Sequence, residues 1–176
     1  MKGITYWMTG LSGAGKTTIA ELAVNQMQKE KIPVVWLDGD MMRKGLCHDL
    51  GFSNDDRTEN IRRIAHVAKQ INDNGIDVIV SMITPRYSQR QLANIILLKS
   101  FREVYISTPL TVCEDRDPKG LYKKARKGEI ENFTGIGSIY ENPQNPSLQL
   151  THFMTAHESA RRLFKYIKQE GAENGI

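Results

Sequence analysis

A glycine-rich segment between two apolar runs constrains the fold of this chain more than any other feature. It reads Gly10-Leu11-Ser12-Gly13-Ala14-Gly15-Lys16-Thr17-Thr18, after an apolar run at 4–8 and before a helix-like run at 16–31. Glycine is unfavourable inside helices and strands, so three glycines in six residues predict a turn. The pattern Gly-x-x-x-x-Gly-Lys-Thr between a strand and a helix is that of a phosphate-binding loop.

The residue types in this segment match the chemistry of a bound polyphosphate. Backbone N–H groups of such a loop approach phosphate oxygens closely, and the following helix adds the positive end of its dipole. Lys16 is predicted to reach the terminal phosphates, and the Thr17 hydroxyl to bind Mg²⁺. The predicted ATP-binding set is Gly10, Ser12, Gly13, Ala14, Gly15, Lys16, Thr17 and Thr18. The same loop serves kinases, GTPases, ATPases and non-enzymatic switches, so it does not define the reaction.

Strand-like and helix-like segments alternate along the rest of the chain. Strands are predicted at 4–8, 34–37, 78–82 and 104–106, and helices at 16–31, 58–73, 89–98 and 155–169. This alternation predicts an α/β fold, a three-layer P-loop NTPase domain with helices on both faces of a parallel sheet. One domain over residues 1–176 is expected. Glycines, prolines and charges dominate about 117–146, which predicts an irregular basic lid.

Composition excludes several classes of protein. The content of 40% apolar and 25% charged residues is that of a globular protein. The longest apolar stretch, 76–83, is too short to cross a membrane, and we expect neither a signal peptide nor a second catalytic domain. Two cysteines and four histidines without metal-site spacing favour a reduced, cytoplasmic protein. The net charge of +4 is modest. Basic residues concentrate locally in the lid, which favours a small anionic ligand over nucleic acid.

An acidic pair after the second strand indicates phosphoryl transfer. No Asn-Lys-x-Asp guanine-reading motif is present, and the third strand ends at Thr84-Pro85 without the carboxylate of motor ATPases. Asp38 and Asp40 follow the second strand, so they are expected to face the phosphate loop. One carboxylate can support Mg²⁺ and the other can accept a hydroxyl proton. The alternative is an Asp-Gly-Asp turn that only caps the strand.

Two further segments carry candidate binding residues. Arg57 and Asn60 lie at a predicted helix entrance, where they could bind an anion, and Phe52 could stack on a base. Capping residues and a partly buried phenylalanine are equally good interpretations. The basic stretch at 116–126 is predicted to close over the site as a lid, although a solvated basic face has the same composition.

Together these segments closely resemble the adenylylsulfate (APS) kinases. The matching blocks are residues 10–18, Leu37-Asp38-Gly39-Asp40-x-x-Arg43-x-Gly45-Leu46, Gly51-Phe52-Ser53-x-x-Asp56-Arg57-x-Glu59-Asn60-Ile61-Arg62-Arg63, most of 108–136, and Tyr140-Glu141. The resemblance covers nearly the whole chain. It implies transfer of the γ-phosphoryl group of ATP to the 3′-hydroxyl of APS, with ADP and PAPS as products, ATP and Mg²⁺ as cofactors, and a homodimer.

The resemblance also implies roles for individual residues. The catalytic set is Lys16, Asp38, Asp40 and Thr84; Thr17 and Asp38 are the metal-site residues, and Arg116 lies near the ATP adenine. The acceptor-binding set is Asp40, Arg43, Phe52, Arg57, Asn60, Ile83, Thr84, Arg86, Lys119, Phe133 and Thr134. Within it Phe52 and Phe133 sandwich the acceptor base, and Lys119 reaches the acceptor from the lid.

The chain departs from the family pattern mainly near the acceptor residues. Thr84 stands where the family has a serine that has been proposed as a phosphorylated intermediate, and Arg86 where an aromatic residue or histidine is usual. Gly137 and Ser107 replace usual aspartates. These changes leave open another nucleotide acceptor, foremost cytidine diphosphoramidate. A non-catalytic nucleotide-binding regulator is the alternative from another class, but such a protein would be expected to have lost Asp38, Asp40 or the basic lid residues.

Overall fold

A five-stranded, wholly parallel sheet forms the centre of the protein. The computed structural model describes residues 2–173. The strands are β1 (Thr5–Thr9), β2 (Val34–Asp38), β3 (Asp77–Ser81), β4 (Phe101–Ser107) and β5 (Leu148–Thr151). Their order across the sheet is β2-β3-β1-β4-β5. The predicted α/β fold with a parallel sheet flanked by helices is therefore confirmed.

Within the described residues, seven α-helices cover the two faces of the sheet and its carboxyl edge. They are α1 (Lys16–Lys29), α2 (Gly39–Lys44), α3 (Asn54–Asp73), α4 (Tyr87–Leu97), α5 (Leu110–Arg116), α6 (Leu121–Arg126) and α7 (Ala156–Glu173). Helices α1 and α7 pack together over one face of the sheet, and α3 and α4 over the other. No helix within residues 2–173 is long and apolar enough to span a membrane.

Burial on both faces explains the apolar runs of the central strands. Every residue of β1 and β3 is buried, as expected for inner strands of a parallel sheet with helices on both sides. Successive side chains alternate between the faces: Tyr6 and Met8 join the core under α1 and α7, and Trp7 joins the core under α3 and α4. Because the strands are parallel, the loops after β1, β2 and β3 meet at one edge.

Helix starts at this edge depend on short polar caps. The Asp38 carboxylate accepts from the backbone N–H groups of Asp40 and Met41 and begins α2. Ser53 Oγ accepts from Asp56 N, 3.1 Å away, and begins α3. Both are residue types that satisfy the unpaired N–H groups of a first helical turn.

The structure corrects several predicted boundaries. The lid segment 117–146 was predicted to be irregular, but it contains α6, which buries Tyr122 and Ala125 on one face. The sequence of this helix is mostly basic and only these two positions are buried, so its buried face could not be recognised from the sequence. Helices α2 and α5 and strand β5 were not predicted, since each is short. Helix α3 begins at Asn54, four residues before its predicted start, so Arg57 lies inside the helix.

Candidate active site

One cavity of about 840 Å³ opens at the carboxyl edge of the sheet. Its wall combines the phosphate-loop residues 12–18, the β2–α2 junction, the start of α3, the β3–α4 loop and the lid. The loop between β5 and α7 completes it. A cavity of this size holds a ligand of several hundred daltons, and its place beyond the carboxyl ends of parallel strands is where such folds bind nucleotides.

The phosphate loop is held in a shape that only glycine adopts easily. Gly13 has φ +73°, and a Cβ there would lie 3.2 Å from the Cys113 carbonyl oxygen. Lys16 is buried and donates from Nζ to the carbonyl oxygens of Gly10 and Leu11, at 2.9 and 2.8 Å. Burial lowers the pKa of Lys16 to about 8. The ammonium group thus lies folded onto the loop that a polyphosphate would enter.

Asp38 is the most heavily hydrogen-bonded carboxylate of the site. Its Oδ1 accepts the two backbone N–H groups of α2, and its Oδ2 accepts from Thr17 Oγ1 at 3.1 Å and Ser81 Oγ at 2.8 Å. Within residues 2–173 no cluster of three or more His, Cys, Asp or Glu residues could hold a metal ion alone. Mg²⁺ beside nucleotide phosphates needs only one or two protein oxygens. Thr17 and Asp38 fit that requirement.

Asp40 connects the sheet edge to the lid. It lies in the first turn of α2, two residues after Asp38, and its exposed carboxylate forms an ion pair with Lys119. Both side chains line the cavity. A carboxylate here can accept a proton from a bound hydroxyl group, and an ammonium beside it can contact an anionic ligand.

Two arginines and two phenylalanines that were predicted to bind the acceptor line the cavity. Arg57 donates to Phe52 O, Thr134 Oγ1 and Asn132 O, at 2.9, 2.7 and 3.0 Å. Burial, together with the positive charges of Arg43 and Arg86, lowers the pKa of Arg57. Arg43 lies over the Phe52 ring, 4.4 Å from its centroid.

The two phenylalanine rings differ sharply in environment. Phe52 is 64% exposed, and Phe133 is 9% exposed. The Phe133 ring packs edge-on against Tyr122 of α6, with centroids 5.0 Å apart. Phe133 is therefore part of the hydrophobic core of the lid as well as of the cavity wall, whereas Phe52 is free to contact a ligand.

Two polar residues on the cavity wall are buried in unusual states. Thr84 is 1% exposed and has φ +45°, a backbone conformation that is strained for a β-branched residue. Its Oγ1 accepts a hydrogen bond from Trp7 Nε1, 2.9 Å away. Asn60 Oδ1 is buried without a hydrogen-bond partner among the described residues. Unsatisfied or strained groups of this kind concentrate at functional sites.

The cavity brings together most of the predicted site residues. All but Gly10 and Arg86 of the predicted set line it. Gly10 contributes its carbonyl oxygen to Lys16, and Arg86 lies at the start of α4, where its backbone N donates to Gln89 Oε1. Sequence reasoning missed Ser81 and the wall next to α7. That wall runs from the end of β5 into the first turn of α7 and consists of Thr151, His152, Met154, Thr155, Ala156 and Ser159. No sequence motif marks these residues. The strand that positions them, β5, was not predicted because it is only four residues long.

The fold and the site define the class of the protein: a P-loop kinase, with a nucleotide-phosphate loop, an oxygen pair suited to Mg²⁺ and a carboxylate beside a second binding region. The family model described as adenylylsulphate kinase matches residues 2–151. The chain belongs to the adenylylsulphate kinase family.

Curated relatives and solved structures agree with this assignment. The adenylyl-sulfate kinase of Halothermothrix orenii is 51% identical over 98% of this chain and 94% of its own length. That of Clostridium acetobutylicum is 48% identical over 96% of this chain and 84% of its own length. The structure of the Mycobacterium tuberculosis APS kinase in complex with AMPPNP and APS superposes with a TM-score of 0.92, at 46% identity, covering 95% of this chain and 98% of that one.

Proposed function

We propose that this protein transfers the γ-phosphoryl group of ATP to the 3′-hydroxyl of APS, with PAPS and ADP as products. The observation that carries the proposal is the composition of the cavity of about 840 Å³. This cavity joins the phosphate loop to a region with Asp40, two arginines and two phenylalanines. A kinase for an anionic nucleotide acceptor needs these parts in one enclosed space.

The donor side would hold ATP through the loop and its lysine. Backbone N–H groups of residues 12–18 would contact the phosphates, and Lys16 would leave the carbonyl oxygens of Gly10 and Leu11 for the terminal phosphates. Thr17 and Asp38 would hold Mg²⁺, which when bound offsets the negative charge on the β- and γ-phosphates. Arg116 and the wall next to α7 would enclose the adenine.

The acceptor side would align the 3′-hydroxyl with the γ-phosphorus. Phe52 and Phe133 would stack on the acceptor base, Arg43 and Arg57 would contact its anionic group, and Asn60 Oδ1 would accept from one of its donors. Asp40 would release Lys119 and accept the hydroxyl proton as the new O–P bond forms and the bond to the β-phosphate oxygen breaks.

Direct transfer fits the site better than a covalent intermediate on Thr84. The Thr84 hydroxyl is buried and already accepts a hydrogen bond from Trp7. A positioned hydroxyl group and Mg²⁺ suffice for phosphoryl transfer without a protein nucleophile.

An acceptor screen tests the function. Purified protein with ATP and Mg²⁺ would be given APS and, separately, cytidine diphosphoramidate at matched concentrations, and ADP release would be measured. A much higher kcat/KM with APS is expected. A preference for the cytidine compound would contradict the proposal and would indicate that the changes around Thr84 redirect the site.

We further propose a single-domain cytoplasmic homodimer with a lid at 117–146. Both cysteines are buried and unpaired, which is typical of a reducing compartment. Ile95 of α4 and Leu98, the residue directly after that helix, are 67% and 64% exposed, and apolar exposure of this kind is common at subunit contacts. Light scattering coupled to size-exclusion chromatography would measure the mass; a monomer at micromolar concentration would contradict the dimer.

A further inference from the structure

Both tryptophans of the chain donate their indole N–H to a hydroxyl group on the cavity wall. Trp7 Nε1 lies 2.9 Å from Thr84 Oγ1, and Trp36 Nε1 lies 2.9 Å from Ser81 Oγ. The two indoles lie on opposite faces of the sheet, Trp7 in the core under α3 and α4 and Trp36 against the core under α1 and α7. Ser81 and Thr84 line the cavity, whereas neither tryptophan does. The two contacts are therefore independent.

An indole N–H can only donate, and this fixes the direction of each hydrogen bond. A hydroxyl group that accepts from it must direct its own hydrogen to another partner. Ser81 does so within the protein, because its Oγ donates to Asp38 Oδ2 at 2.8 Å. Trp36, Ser81 and Asp38 thus form a chain of hydrogen bonds with one possible direction.

The Thr84 hydroxyl differs, because its own hydrogen has no such partner in the described part of the chain. Among the described residues no acceptor takes its hydrogen, and its side chain lines the cavity. The backbone around it is fixed as well: Thr84 O accepts from Arg90 Nη1 at 3.1 Å, and the preceding carbonyl, Ile83 O, accepts from Thr9 Oγ1 at 2.6 Å. With φ at +45°, these anchors hold a strained residue in place. Its hydroxyl hydrogen is left for a ligand.

We propose that Trp7 and Trp36 are positioning residues, each fixing a cavity hydroxyl group as a hydrogen-bond donor. Trp7 presents Thr84 to the acceptor nucleotide, and Trp36 presents Ser81 to Asp38. The assignment of Trp7 to the acceptor nucleotide rests on the proposed function. The assignment of Trp36 concerns the metal-site carboxylate: when Thr17 turns its hydroxyl to the ion, Ser81 remains the side-chain donor to Asp38 Oδ2.

The test compares Trp7→Phe with Trp36→Phe, each the control for the other. Loss of one donor to a functional hydroxyl is expected to change binding about fivefold to tenfold. Trp7→Phe should raise the KM for APS by that factor and keep the KM for ATP within about twofold. Trp36→Phe should leave the KM for APS unchanged and weaken ADP binding in the presence of Mg²⁺, measured by calorimetry, with no change when Mg²⁺ is omitted.

Double variants separate positioning from packing. If Trp7 acts through the Thr84 hydroxyl, Trp7→Phe should add little in a Thr84→Val background and should keep its effect in a Thr84→Ser background. The pair Trp36→Phe and Ser81→Ala should behave in the same way for Mg²⁺-dependent ADP binding. The proposal would be overturned if the effects of the two single substitutions multiplied in the double variant. It would also be overturned if a folded Trp7→Phe protein had an unchanged KM for APS.

A shape-preserving replacement covers the case in which Trp7→Phe fails to fold. In a Trp36→Phe background, biosynthetic incorporation of the benzothiophene analogue of tryptophan replaces only the Trp7 N–H by sulfur. The same rise in the KM for APS is expected, and an unchanged KM would overturn the proposal. If the wild-type protein does not phosphorylate APS, the proposed function fails on its own, and the Mg²⁺-dependent ADP titrations still decide the Trp36 half.

Discussion

Lys119 of the lid forms an ion pair with Asp40, the carboxylate beside the phosphate loop that is predicted to act as the base. Both side chains are more than half exposed, so the pair adds little to stability. Its significance is positional, because the lid contacts the Asp40 carboxylate directly through Lys119.

Replacing Asp40 by asparagine should remove turnover and leave ATP binding nearly intact. General-base catalysis contributes about a hundredfold to ten-thousandfold in rate, and the amide keeps the size of the side chain. kcat with ATP and APS, together with ATP affinity by calorimetry, measures both effects. Asp55→Asn is the matched control, because Asp55 is an exposed carboxylate in the first turn of α3 outside the cavity. Turnover that survives in Asp40→Asn would show that Asp40 is not the base.

ATP binding should take up a proton above neutral pH. Burial lowers the pKa of Lys16 to about 8 in the free protein, and bound phosphates raise it again because they favour the charged ammonium. Uptake should therefore rise from about a quarter of a proton at pH 7.5 to about nine-tenths at pH 9. ATP affinity should fall as the pH rises through this range.

Calorimetry in buffers of different ionisation enthalpy measures the uptake. ADP and ATP should give the same pH trend, since their phosphates are already ionised there. Equal heats in all buffers at pH 9 would contradict the assignment of a low pKa to Lys16.

Arg57→Ala should weaken acceptor binding and loosen the lid. Arg57 joins α3 to Asn132 and Thr134 through hydrogen bonds of 3.0 and 2.7 Å, and a charged hydrogen bond contributes about 1.5–3 kcal/mol. We expect kcat/KM for APS to fall by about a hundredfold, with a change in the KM for ATP below about threefold. Amide hydrogen exchange at 130–136 should become faster. Arg62→Ala on the same helix, where the guanidinium is bound to Glu59, should do neither.

The two phenylalanines should separate binding from stability. Phe133 is buried against Tyr122, so Phe133→Ala should destabilise the fold by about 3–5 kcal/mol as well as raise the KM for APS. Phe52 is mostly exposed, so Phe52→Ala should raise the KM for APS with a Tm within about 2 °C of the wild type. Thermal unfolding and initial rates measure both. An unchanged KM in Phe52→Ala would remove Phe52 from the base-binding pair.

Local patterns determined a large part of this protein. The phosphate loop, the Asp38–Asp40 pair and the longer helices follow from residue types at short spacings, because helix and strand periodicity and cap chemistry act over a few residues. The edge at which the acidic pair meets the loop also followed, since parallel strands end together. Short elements such as α2, α6 and β5 did not, because they have two buried positions or none and so show no readable period.

Tertiary structure alone decided which distant groups meet. The hydrogen bonds from Trp7 to Thr84, from Trp36 to Ser81 and from Lys119 to Asp40 span 77, 45 and 79 residues. No spacing rule links positions so far apart, since their distance depends on strand order and on how α4 and the lid pack. The sequence by itself therefore determined the phosphate loop and the acidic pair of the site. The order β2-β3-β1-β4-β5 and the packing of the lid decided how those groups point, because hydrogen bonds form only where the fold places a donor against an acceptor.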